Sequence, residues 1–86
     1  MAFKTGVLAD ATPFVVNIAT STWPATMSLV SAAAGRLIEL SADGGVTYFT
    51  PTVDATSATG ISIGVFAPVS HARFTGVAND VWSARG

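Results

Sequence analysis

His71 is the one side chain in this 86-residue sequence suited to general-base chemistry near neutral pH, and Ser70 stands directly before it. A hydrolase would need that hydroxyl within hydrogen-bond reach of the imidazole, with a third group orienting the ring. Neighbouring residues on a strand point to opposite faces, so Ser70 and His71 are not expected to meet. Acidic residues number five, Asp10, Glu39, Asp43, Asp54 and Asp80. Two carboxylates facing each other could cleave a glycoside, but Asp43 falls in a turn, Asp54 in a Thr-rich loop and Asp80 just before the last strand. At such positions Asp serves the local backbone. No pair has the spacing of metal ligands, and the absence of cysteine removes disulfides and thiolate metal sites together. Gly44-Gly45 is too short for a phosphate cradle and precedes a strand, where such a cradle would precede a helix. Trp23, Tyr48 and Trp82 could form a stacking platform for a sugar. Trp82 is read as core and Trp23, between Thr22 and Pro24 in a loop, as an exposed anchor. No catalytic residue, cofactor or metal is expected from this set.

The elements that would position these residues are strands. Gly and Pro recur at Gly6, Pro13, Pro24, Gly35, Gly44, Pro51, Gly60, Gly64, Pro68 and Gly76, leaving no room for helices of ordinary length. The intervening segments are rich in Val, Ile, Phe and Thr, which pack well on a pleated surface. RLIELSADGGVTYFTP, residues 36–51, predicts a β-hairpin in which Ile38 and Leu40 point inward, Glu39 and Ser41 face water, and the Asp43-Gly44-Gly45 turn supplies positive φ. ISIGVFAPVSHARF predicts a second hairpin, with Ile61, Ile63 and Val65 on one face of its first arm. In its second arm Ala72 and Phe74 oppose His71 and Arg73. Further strands are expected at residues 14–18, 25–32 and 80–84, with a helical turn over residues 31–34, ended by Gly35, as the alternative for the end of the second. The fold class is all-β: a small β-sandwich or jelly-roll-like barrel of six to eight short antiparallel strands. Residues 1–24 are read as an extended N-terminal segment or arm with one strand, and residues 25–86 as the β-sandwich body.

One domain of this size buries a modest core, and small chains compensate with disulfides, a metal or oligomerisation. With no cysteine and no ligand cluster, oligomerisation remains. Only 10% of the residues are charged, against about 25% in an ordinary soluble domain, while 50% are hydrophobic. A surface of Ser, Thr and apolar side chains suits contact between proteins, because interface cores are depleted in charge. Lys4, Arg36, Arg73 and Arg85 form no basic stripe, so no nucleic acid is expected as a partner. No apolar run approaches the ~20 residues of a spanning helix, so no membrane is expected either. Lys4, Asp10 and Pro13 interrupt any secretory apolar stretch, which predicts synthesis in the cytoplasm with no processing beyond Met1.

Residues 35–76, from GRLIELSADGGVTYFTP to APVSHARFTG with Phe74 inside, followed by a closing Trp82, resemble small virion proteins encoded in the structural-gene regions of tailed bacteriophages. The resemblance covers about half of the chain. It implies a virion setting, most simply a capsid decoration or cement protein that binds the outer head as an oligomer, with a trimer favoured, and stabilises the coat lattice. The partners it implies are the major capsid protein, or another virion protein, and further copies of the chain. Phe3, Val7, Leu8, Phe14, Val15 and Trp23 are the candidate interface residues, to be buried against the shell or a sister subunit, with strand addition satisfying exposed edges. A tail, neck or fibre subunit is the first alternative. A host-surface glycan binder using Trp23 and Tyr48 is the second.

Overall fold

A computed structural model describes residues 3–18, 24–65 and 69–85. Eight strands form two antiparallel sheets, and no helix occurs among the described residues. They are β1 (Phe3–Val7), β2 (Phe14–Asn17), β3 (Ala25–Val30), β4 (Leu37–Ser41), β5 (Ala55–Ser57), β6 (Gly60–Val65), β7 (His71–Thr75) and β8 (Val81–Arg85). The five-stranded sheet runs β1-β8-β3-β6-β5 and the three-stranded sheet β2-β7-β4. The pairing of β1 with β8, β2 with β7 and β3 with β6 is that of a long hairpin wrapped into two layers, the order of a jelly roll. β5 departs from it. It pairs with β6 and leaves the far edge of β4 to a single bridge, Leu40 to Phe49.

Alternation of apolar residues builds the core. Ala25, Met27 and Leu29 on β3, Ile61, Ile63 and Val65 on β6, and Trp82 and Ala84 on β8 face Val16, Ile38, Leu40, Ala72 and Phe74 of the other layer. Every one of these is buried. Trp82 joins the layers, with its ring stacked on Phe74 at 5.4 Å and tilted against Phe14 at 5.5 Å. Gly6 lies opposite Trp82 across the β1–β8 ladder. A Cβ at Gly6 would sit 2.8 Å from the indole nitrogen, so the ring occupies the space that any larger residue would fill.

Several expectations need correction. β6 and β7 are not arms of one hairpin, because they lie in different sheets. Both have an apolar inward face, and two such strands bury more by facing each other across the core than by pairing edge to edge. The return arm after β4 shrinks to the Leu40–Phe49 bridge, although Gly44 and Gly45 do adopt positive φ, 84° and 89°. Ser41 is buried, not facing water. The segment before residue 25 contributes two strands where one was expected, and they enter opposite sheets, β1 beside β8 and β2 beside β7.

Candidate functional site

Two regions of the three-stranded sheet hold chemistry of different kinds. The first is polar. Glu39 and Arg73 stand directly opposite each other on β4 and β7, and their side chains meet as a bidentate pair, Nε to Oε1 and Nη2 to Oε2, both at 2.9 Å. The guanidinium carbon also lies 4.0 Å from the centroid of the Tyr48 ring. The Glu39 hydrogen bonds push the Arg73 pKa above its ordinary value. The cation is therefore locked between a carboxylate and a π face.

Beside this stack lies a turn built on Ser41. Its hydroxyl donates to Asp43 Oδ1 at 2.7 Å and accepts the Gly45 amide at 2.9 Å. Asp43 Oδ1 in turn accepts the amides of Thr47 at 2.9 Å and Val46 at 3.2 Å. The Thr47 amide and then the Ser41 hydroxyl lower the Asp43 pKa to about 2. Asp10 and Asp80 do similar local work, accepting the amides of Thr12 and Val77. Asp54 accepts the Gly64 amide. Asp10, Asp43 and Asp80 thus serve the amides of their own turns, whereas Asp54 reaches across to β6, and among the described residues no group of three His, Asp or Glu converges to hold a metal.

Ser70 and His71 do meet, contrary to expectation: Ser70 Oγ lies 3.0 Å from His71 Nδ1. Ser70 precedes the strand and sits in a bend, so strand alternation does not apply to it. The Ser70 hydroxyl also donates to the Ser41 carbonyl at 3.1 Å and accepts the Gly44 amide at 2.9 Å. The oxygen is thereby a latch for the turn.

The second region is apolar. β2 is an edge strand whose Phe14 and Val15 are 44% and 46% exposed. Val7 belongs to the other sheet, where the register aligns it with Val81 and Val30 in one outward row across β1, β8 and β3. Val7 and Val30 are 60% and 58% exposed. The six candidate interface residues thus do not converge on one patch. Val7 sits on one sheet, and Phe14 and Val15 sit on the other. Leu8 is a core residue, because its amide and carbonyl are tied to Asp80 and Asn79 at 2.7 and 2.9 Å and the side chain turns inward. Phe3 lies on β1 opposite Arg85, but its side chain falls outside the described residues, as does Trp23 altogether. Tyr48 is taken up by Arg73, and Trp82 is buried, so these two offer no common stacking platform. Val30 and Val81 escaped the sequence reading. Each alternates correctly for an outward position, but only the register shows that they align with Val7.

No protein-family model, curated protein or solved structure matches this chain.

Proposed function

We propose that the chain is a non-enzymatic structural subunit of a bacteriophage particle, a capsid decoration or cement protein that clamps coat subunits. The observation that carries this reading is the outer surface. Val7, Val30 and Val81 form an apolar row on one sheet and Phe14 and Val15 an apolar edge on the other, in a chain with nine charged side chains, four basic and five acidic. Monomers rarely leave contiguous apolar surface uncovered. Glu39, Arg73, Asp43, Ser70 and His71 are engaged with one another or with backbone, so the polar groups stabilise turns and strands rather than a substrate. The resemblance of residues 35–76 to small virion proteins supplies the setting. The double-sheet order recurs in viral capsid and lectin domains, which agrees with that setting by fold analogy alone.

In this reading each copy contributes a weak contact, and a symmetric lattice multiplies it into a strong one. Particles lacking the protein are expected to release DNA at a lower temperature or lower chelator concentration than complete ones, and added protein is expected to restore them. Equal resistance of the two kinds of particle, measured by release of dye-accessible DNA, overturns the reading.

A further inference from the structure

A sandwich of two open sheets has four edge strands, and three of the four are guarded. β1 carries a lysine, Lys4, the side chain most used to discourage pairing. β5 is three residues long, and Arg36 holds it by donating to Thr56 Oγ1 and to the Ser57 carbonyl, at 3.2 and 2.5 Å. β4 is bridged by Phe49 through two backbone hydrogen bonds of 2.9 Å. β2, FVVN, has no charge and no proline within it.

The phase of β2 follows from the bond beside it. Ile18 donates its amide to Ser70 at 2.9 Å, which turns the backbone groups of even-numbered residues toward β7. Those of odd-numbered residues point away, and Lys4 Nζ accordingly reaches the Asn17 carbonyl at 2.8 Å. The N–H and C=O of Val15 therefore face outward in the middle of the strand.

We propose that this edge pairs with itself: two copies join their β2 strands antiparallel about a two-fold axis at Val15, fusing two three-stranded sheets into one of six strands. The inference rests on the self-association proposed above and replaces the trimer expected from the resemblance with a two-fold dimer. Antiparallel partners must share a face, which allows Val15 to oppose Val15 of the second copy and Phe14 to oppose its Val16. The first pair closes two reciprocal hydrogen bonds. The second is an aromatic and β-branched pair, a favourable cross-strand combination. The ends also close. The next pair sets Pro13, which has no N–H to offer, opposite Asn17, whose carbonyl Lys4 already holds. Nor does charge oppose the contact, because Arg73, beside Val15 on β7, is matched by Glu39. An unrelated partner strand would satisfy Val15 equally. Only a second β2 supplies the matching proline and the blocked carbonyl at both ends.

The test is sedimentation of the purified chain over a concentration series, with cross-linking of single-cysteine variants. The wild-type chain should reach the mass of two 8.7 kDa subunits. Val15→Lys and Val15→Pro, each checked for an unchanged circular dichroism spectrum, should raise the dimer Kd at least about tenfold, or 1.4 kcal/mol. A short bis-maleimide should join Val15→Cys copies and leave Val46→Cys, exposed in the turn after β4, unjoined. A monomer at all concentrations, a trimer, or equal cross-linking of the two variants overturns the two-fold pairing. A dimer that fails to protect phage particles would sink the cement reading and leave the pairing intact. Particles protected by a strictly monomeric chain would do the reverse.

Discussion

At one edge of the three-stranded sheet, β4 hands its chain to a turn in which the Ser41 hydroxyl, the Asp43 carboxylate and the Ser70 hydroxyl all have partners within the molecule, and Phe49 bridges back to Leu40. At the other edge, β2 offers the outward side chain and backbone pair of Val15 and a half-exposed Phe14 whose ring rests on Trp82, and among the described residues no further strand pairs with it. Both edges flank the same strand, β7. The difference shows where each does its work. A closed edge contributes to the stability of the monomer, whereas an open one contributes through whatever comes to cover it. Substitutions on the two sides should therefore separate stability from association.

The largest loss of stability is expected at the closed edge, from Ser41→Ala. Ser41 is fully buried, and its hydroxyl serves both Asp43 and the Gly45 amide. Removing it leaves those groups short of partners in a crowded turn, for a cost of about 1–3 kcal/mol. Urea unfolding would read this as a lower midpoint with an unchanged slope. A midpoint within error of wild type would mean that the turn is held by packing alone.

A smaller effect should appear with acid. The Asp43 carboxyl titrates at about 2 when folded, against about 3.9 in an unfolded chain. A depressed folded value means that the charged form stabilises the native state. The contribution is complete above about pH 4 and disappears as pH falls through about 2. Asp10 and Asp80 are lowered as well and add to the loss in the same direction. The amide signals of Val46 and Thr47 should titrate with Asp43 and stop doing so in Asp43→Asn, while those of β2, which follows Asp10, behave alike in both proteins. A response at β2 that changes in Asp43→Asn would show that the two edges are coupled through β7.

The period-two alternation made the local features legible. Ile61, Ile63 and Val65 turn inward, as do Ala72 and Phe74, because each stretch carries its own face in its spacing. Asp43 and the two glycines announced a turn for an equally local reason. Partnership between strands was not legible, because it depends on contacts between distant parts of the chain. β6 and β7 adjoin in sequence and separate into two layers, whereas β1 and β8 lie at opposite ends of the chain and pair. Leu8 shows the same limit at one residue. Its neighbour Val7 is exposed, and only the Gly76–Asp80 loop arriving from the far end makes Leu8 a core position. Ser41 and Ser70 fit the alternation rule poorly, because each stands where a strand gives way to a bend.

The smallest expected change in stability is at the open edge, and it discriminates most. Val15→Lys replaces a side chain that is 46% exposed and, among the described residues, packs against no partner strand on its outer side, while it sets two like charges against each other across the proposed two-fold axis. In dilute solution, where association is negligible, its unfolding free energy should stay within about 0.5 kcal/mol of wild type. At high concentration the wild-type chain gains stability by mass action if it self-associates, and a variant weakened in association gains less. The two unfolding curves should therefore overlay when dilute and part when concentrated, with wild type the more stable. A gap already present in dilute solution would show that the native monomer uses Val15 internally, and the contrast between the two edges would then fail.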